Sequence, residues 1–598
     1  NAVFVKHVWQ AWGYDYRLPD IFPPQSGLDN FKTLADTCRQ HGIIFAPHDN
    51  YTDFYPDATG FSYDHVSFDK YGKPKKAWFN KGRNAQSYSW LPHAFKPWLE
   101  NNMTLLKNHV QPEGLFIDVL ASITPFDYYD RNGNYYPKAS TARHWADAFD
   151  TARSILGPNT AIMISEGGHD ALIGSLDGAQ SDHYAVAGWG IQETAQRVPW
   201  HDIVSHQKMA LFAGGLADRY QRRDSTNSGY ASDSYLTNTV IGGRNPMSDG
   251  PFSINAILTY WLLNDVTQFL AFNSFDDLQF VDNSIDRQKA TFANGKATVW
   301  ANRGKMPWTI NPDTTLPQFG FLASTPNAKA AIVQINGKSV AYAMTPNSTY
   351  IDTRPTRINP YGLACSFGAE PVNFRKINDL KYAFQINWDF KKQASTRETL
   401  HFIHICHPSS KNTDKILFYG KVVESNLDYK KPGQYISHIE IDIPDDAPEG
   451  DYEIRFGLWT PHSGGRIKLN NTTSSFSRAL GGRLTVQRQD GKIISNPIPG
   501  VPTENQIIDF GFLKTNGTFK LVKLDDSTWL LIPAPGTPPF QLIASATNTF
   551  GLKPNTKLIA TNLDPWTDDA KPPAINQEQD SIQLEMDAKS FAYKLVFK

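Results

Sequence analysis

GLFIDV, residues 114–119, runs a short apolar stretch into an aspartate, Asp118. Two other stretches share this form. GIIFA (42–46) leads into Pro47-His48-Asp49, and AIMIS (161–165) leads into Glu166. Near-continuous apolar runs of this length are strands buried on both faces, as in a parallel sheet covered by helices. VFVKHVW (3–9) is a fourth, and further candidates lie at 177–182, 208–214 and 267–271. Between them the period lengthens. LDNFKTLADTCRQH (28–41) spaces Phe31, Leu34, Ala35 and Cys38 as one helix face, and Gly42 ends it. A second helix is expected over about 94–110, and a third over 140–156, with Ser140 or Thr141 as its cap. A polar and aromatic loop is expected from Pro47 to about Tyr88.

Seven candidate strands in about 285 residues approach the eight strands and ~250 residues of a (β/α)8 barrel. An open doubly wound sheet is the rival, but no glycine-rich phosphate loop follows an early strand. After residue 290 the period drops to two. ATVWAN, AAIVQING, SVAYAM, KYAFQINWDF, HFIHICH, KILFYGKVV, SHIEIDI and DYEIRFGLW read as strands of all-β domains, including a β-sandwich. Phe319-Gly320-Phe321-Leu322 is echoed by Phe510-Gly511-Phe512-Leu513. The expected organisation is a barrel over 1–288, a β domain over 289–367, an immunoglobulin-like sandwich over 368–488, and a β domain over 489–598 that echoes the second.

Composition narrows the function classes. Among 598 residues, Lys+Arg 58 against Asp+Glu 59 leaves a net charge of -1, with no basic footprint for nucleic acid. No apolar run approaches the ~18 residues of a membrane span, and the mean hydropathy is -0.43. The three cysteines, Cys38, Cys365 and Cys406, are too few and too scattered for a disulfide framework or zinc cluster. Aromatic residues make up 13% of the chain, which suits both sugar stacking and β-rich cores. The chain opens at Asn1 rather than Met, so the expectation is that something upstream has been removed.

In a barrel, side chains just past the strand C-termini face the active site. Asp49, Asp118 and Glu166 occupy such positions, and Asp182-His183 follows the next candidate strand. A carboxylate within an apolar strand is costly unless paired, hydrogen-bonded or functional. Two carboxylates on adjacent strands, ~4.8 Å apart, suit retaining glycoside hydrolysis, in which one attacks the anomeric carbon and the other exchanges a proton. Asp118 is assigned as the ionised nucleophile. Glu166 is assigned as the acid/base, protonated at rest by desolvation and its neighbour's charge.

Trp9, Trp12, Tyr14 and Asp15 follow the first strand, and His48, Asp49, Asn50, Tyr51 and Asp53 follow the second. From these, Asp49 and Asp182 are expected on ring hydroxyls and Trp9 or Trp12 as a stacking platform, with Asp15, His48, Asn50, Tyr51 and His183 completing the pocket. The same residues admit other chemistries. His48-Asp49 and His169-Asp170 are possible ligand pairs, but no HxH or HExxH spacing accompanies them, and no metal or other cofactor is expected. Asp130 to Asn134 resembles half a calcium loop, without the distal Glu, and reads better as a turn. Gly167-Gly168 brings either a substrate or the chain itself close to the backbone. Ser165-Glu166-Gly167 is not a GxSxG nucleophile elbow.

VFVKHVWQAWGYDYRLPD, PHDNYTDFYPD, GLFIDVLASITPFDYYDRNG, ISEGGHDALIGSLDGAQSDH and VPWHDIVSHQ together resemble bacterial proteins related to glycoside hydrolase families 101 and 129. The resemblance covers about residues 3–285. It implies a retaining α-glycosidase on a barrel flanked by β domains, acting on α-galacto-configured residues. Those are α-N-acetylgalactosamine of mucin-type glycans, or 3,6-anhydro-D-galactose of carrageenan oligosaccharides. The family nucleophile falls on Asp118 and its acid/base on Glu166. The aromatic loop 124–136 lengthens the interval between them beyond the family's pattern. A β domain ahead of the barrel is a further family feature, expected upstream of Asn1. The resulting expectation is a periplasmic or secreted bacterial hydrolase of oligosaccharides. The alternatives are a non-catalytic carbohydrate-binding protein and a metal-dependent deacetylase or esterase.

Overall fold

The computed structural model describes residues 2–180, 200–212, 233–247, 254–304, 306–354, 367–407, 416–461, 465–467, 469, 478–497, 507–566 and 568–598. The chain divides into two compact units. One comprises residues 1–218, 238–247 and 267–298, and the other comprises 219–237, 248–266 and 299–598.

The first unit opens with β1 (Ala2–Lys6), α1 (Leu28–Gln40) and β2 (Ile43–Asn50). There follow β3 (Asp53–Phe54), β4 (Lys76–Asn80), β5 (Ala85–Ser89), α2 (Lys96–His109) and β6 (Gly114–Asp118). A short hairpin, β7 (Tyr128–Tyr129) and β8 (Tyr135–Tyr136), precedes α3 (Lys138–Leu156), and β9 (Ile162–Ser165), β10 (Gly178–Gln180) and β11 (Ala210–Phe212) come after it. Six of these strands pair side by side and in parallel, in the order β1-β2-β6-β9-β10-β11. A parallel bridge from Phe212 to Asn245 extends the row beyond β11. Among the described residues the sheet does not close on itself.

Helices cover the sheet by the pattern their sequence carries. Phe31, Ala35 and Cys38 are the buried stripe of α1, and Trp145, Ala148, Phe149 and Ala152 that of α3. Gly42, at φ 67°, takes the left-handed conformation that ends α1 and turns the chain into β2. Pro137 rather than Ser140 or Thr141 precedes the first turn of α3, and the Thr141 hydroxyl instead bonds the Phe126 carbonyl at 2.7 Å. The candidate strand at 267–271 is the end of a helix, Ile254–Ala271. Its apolar residues continue the run from Trp261 and Leu262, and eighteen helical residues override the short-strand reading. The expected loop over 47–88 contains β3, β4 and β5, which form a small antiparallel sheet in the order β3-β5-β4. No helix among the described residues is long and apolar enough to cross a membrane.

Past residue 299 the second unit is mainly antiparallel β. Gly320–Ser324, Lys329–Ile335, Lys338–Thr345 and Ser348–Asp352 form a meander, and Ser348–Asp352 then pairs with Thr518–Lys523. The first Phe-Gly-Phe-Leu segment is in this sheet, whereas its echo leads into Leu513–Thr515, a strand of a separate five-stranded sheet. Residues 367–497 form two sheets around a core that includes Tyr382, Phe384, Ile386, Trp388, Ile403 and Ile454. Lys381–Phe390 alternates strictly between half-buried and buried positions, the signature of a sandwich strand.

Candidate active site

The strand β2 runs four residues past the apolar stretch that announces it, so Pro47, His48, Asp49 and Asn50 are strand residues. Alternation then decides which of them meet. His48 is in register with Phe116 and Asn50 with Asp118, whereas Asp49 is in register with Ile117. In β9, Ser165 is in register with Ile117, which carries Glu166 opposite Asp118 one step beyond the last pair. Ala179 pairs with Ser165 and Gln180 with Phe212, so Gln180 stands beside Glu166 in turn. Asn50, Asp118, Glu166 and Gln180 are thus one row across the C-terminal ends of four adjacent strands. All four are 8% exposed or less.

Asp118 is held from two sides. The Tyr14 hydroxyl donates to Oδ2, and His48 Nε2 lies 3.5 Å from Oδ1. Asn50 Nδ2 donates to the Tyr14 oxygen at 3.3 Å and to Asp53 Oδ2 at 2.8 Å. The His48 ring stacks on Phe116, with 4.8 Å between centroids, and meets His7 edge-on at 4.4 Å. Its carbonyl accepts from Trp9 Nε1 at 2.7 Å and Gln10 Nε2 at 2.6 Å. Val119, immediately after Asp118, is at φ 67°, a region β-branched residues avoid. Glu166 Oε2 accepts from Ser122 Oγ at 3.0 Å. A Cβ on Gly167 would lie 2.6 Å from the Ala121 carbonyl oxygen, so the Gly at 167 serves the close approach of the two loops that carry the acids.

The environment holds protons near neutrality. Burial, followed by the charges of Asp53, Asp118 and Glu166, pushes the Asp15 carboxyl up to about 7. Burial also raises Asp53, against the bonds it accepts from Ser87, the Trp78 amide and Asn50. The Tyr14 hydroxyl is raised well above the usual phenol value, first by burial and then by the Asp118 charge.

The remaining expected residues lie elsewhere. Asp49 sits on the opposite face of β2. Its carboxylate accepts from Tyr51 Oη at 2.6 Å and the Asn50 amide at 2.9 Å, and burial raises it to about 7. Tyr51 accepts in turn from Asn102 of α2 at 3.1 Å. Trp9 stacks on Phe31 of α1 with centroids 4.7 Å apart, so its ring belongs to the helix–sheet layer. Asp49, Tyr51 and Trp9 are thereby placed behind the row of carboxylates. The His48-Asp49 pair is split between two faces and cannot grip one ion together. Trp12 is exposed, with the Arg17 guanidinium 4.3 Å from its ring centre. Asp182 and His183 lie outside the described residues.

Asp130 accepts from the Asn132 and Asn134 amides at 2.9 Å each and from Asn134 Nδ2 at 2.7 Å, closing a hairpin turn. Among the described residues no three His, Cys, Asp or Glu side chains are grouped to hold a metal ion. Gln180 and Ser122 join the site without having been singled out by the sequence reading. A signal for Gln180 exists, since a polar residue ends a short apolar strand there as Asp118 does in β6. Ser122 reaches Glu166 only through the fold.

Residues 1–216 match the model of a family described as a domain of unknown function, DUF6259. No curated protein matches the chain. Similar solved structures include the α-N-acetylgalactosaminidase NagBb of Bifidobacterium bifidum in complex with GalNAc, at 17% identity and a TM-score of 0.41, over 50% of this chain and 48% of that one. An α-galactosidase of Thermus thermophilus is 19% identical at a TM-score of 0.21, over 29% of this chain and 37% of that one. An α-amylase of Lactobacillus plantarum is 10% identical at 0.33, over 53% and 82%. The chain spans about half the length of NagBb. The chemistry of the strand tips follows from the side chains themselves.

Proposed function

We propose that the chain is a retaining glycoside hydrolase that cleaves α-linked galacto-configured sugars, with Asp118 as nucleophile and Glu166 as acid/base. The observation that carries this reading is the register of β6 and β9, which sets these two buried carboxyl groups opposite each other on strands ~4.8 Å apart. That spacing suits the ~5 Å of a retaining pair, in which no water must fit between acid and base. Asp118 forms a bond to the anomeric carbon as the glycosidic C–O bond breaks, and Glu166 gives its proton to the departing oxygen. Water then attacks the glycosyl ester, loses a proton to Glu166 and releases Asp118. Tyr14 and His48 fix the plane of the attacking carboxylate, which keeps the nucleophile in a near-attack geometry.

In this reading the six parallel strands belong to a (β/α)8 barrel, and the second unit supplies the accompanying β domains. The substrates in view are α-3,6-anhydro-D-galactose of carrageenan oligosaccharides and α-N-acetylgalactosamine, met in the periplasm or outside a bacterial cell. The motif resemblance over residues 3–285 supports this choice of sugars.

Azide rescue tests the two roles separately. Glu166→Ala on an activated aryl α-glycoside is expected to regain turnover with azide and to yield the α-glycosyl azide. Asp118→Gly is expected to yield the β-glycosyl azide. The opposite anomers would exchange or abolish these assignments.

A further inference from the structure

The hairpin of β4 and β5 carries a feature the two-carboxylate chemistry does not use. Its ladder pairs Lys76 with Tyr88 and Phe79 with Gln86, so Ala77 and Trp78 together oppose Ser87 in a bulge. A bulge re-aims side chains and removes an amide from the ladder. The Trp78 amide is instead bonded to Asp53 Oδ1 at 3.0 Å. The Trp78 carbonyl accepts from Gln86 Nε2 at 3.2 Å, and Ser87 Oγ lies 2.9 Å from that carbonyl and 2.6 Å from Asp53 Oδ1. The backbone is therefore fixed from three sides while Trp78 stands 58% exposed.

The same hairpin is tied to the loop after β1. Asn80 Nδ2 donates to the Asp15 carbonyl at 2.6 Å, and Arg83 donates to the Trp12 carbonyl at 3.3 Å. Trp12 is itself 44% exposed. One side chain, Asp53, separates the Trp78 peptide from Asn50, the register partner of Asp118. Exposed indoles on a fixed backbone beside buried carboxylates are a poor arrangement for solubility but a preorganised one for a ring with an apolar C–H face and polar edges.

We propose that Trp78, with Trp12 on the loop to which its hairpin is tied, forms a stacking subsite for a second sugar ring, so that the substrate is an oligosaccharide rather than a single sugar on a non-sugar partner. This rests on the glycosidase reading, which puts the first ring at Asp118. The test is titration of the full chain by calorimetry with neocarrabiose and the mucin core disaccharide against their one-ring counterparts, 3,6-anhydro-D-galactose and N-acetylgalactosamine, alongside hydrolysis of the two disaccharides, in wild type, Trp78→Ala and Trp78→Phe. Thermal melts confirm folding of the variants. The matching disaccharide is expected to bind wild type at least about 10-fold tighter than its one-ring counterpart. Trp78→Ala should erase most of that length preference, and Trp78→Phe should keep it. An equal length preference in Trp78→Ala and wild type, or none in wild type, would overturn the subsite. Length-dependent binding without any product would retain the subsite and remove catalysis. Products formed with no length dependence would do the reverse.

Discussion

The sandwich of residues 367–497 and the strand tips of the first unit bury opposite kinds of residue. In the sandwich, Tyr382, Phe384, Ile386, Trp388 and Phe390 point inward from a single strand, each 3% exposed or less. At the tips of β2, β6, β9 and β10 the comparably buried side chains are His48, Asn50, Asp118, Glu166 and Gln180. Apolar burial stabilises by about 25 cal/mol per Å2, whereas a buried polar group must find partners merely to break even. The sandwich is thus built for stability. The strand tips bear a cost that the fold alone does not require, and this is where a physical reading looks for chemistry.

Substitutions can break this contrast from either side. The largest effect is expected at the tips: Asp118→Asn and Glu166→Gln should each lower turnover by about 10^3-fold or more. The melting temperature should rise for Asp118→Asn, which removes a buried charge, and hold for Glu166→Gln, which replaces a neutral acid by a near-isosteric amide. Activity assays on purified variants paired with thermal melts check both halves. In the sandwich, Trp388→Ala should cost about 3–5 kcal/mol in denaturant unfolding and leave turnover per folded molecule within about twofold. A large loss of turnover there would blur the division between the regions.

Asp49 sharpens the comparison, since it is buried beside the tips but faces away from them. Its folded value, about 7, lies above the ~3.9 of an unfolded chain, so the folded state binds the extra proton between these values. The resulting stability is complete below about pH 4 and is lost as pH rises through 7. Asp49→Asn should flatten the stability–pH curve relative to wild type by up to about 4 kcal/mol between pH 4 and 8, measured by urea unfolding at each pH. Tyr14→Phe removes one hydrogen bond to the nucleophile and should lower kcat about 10- to 100-fold. The smallest effect is expected at Asp15, whose ionisation near 7 adds a negative charge beside Asp53, Asp118 and Glu166. An inflection of kcat/KM near pH 7 should disappear in Asp15→Asn.

Much of this contrast is legible in the amino-acid sequence. The strands within 3–9, 42–46, 114–119 and 161–165 are readable because uninterrupted apolar runs have few other uses, and acids ending such runs single out Asp118 and Glu166. The end of β2 is not readable in this way. Pro47-His48-Asp49-Asn50 has the composition of a loop, and only pairing with β6 makes it a strand whose alternation brings Asn50 to Asp118 and turns Asp49 away. The β3-β5-β4 sheet is hidden for a related reason. Its strands are two to five residues long, and a bulge breaks their period. Tyr14 and Ser122 reach the acids from loops, where no period exists to read.

The most direct test of the central claim is proton NMR of the sugar first released from an α-galacto-configured substrate, recorded before mutarotation. The α-anomer first is the outcome that Asp118 as nucleophile and Glu166 as acid/base predict. The β-anomer first would mean a single displacement by water and would contradict the role of Asp118.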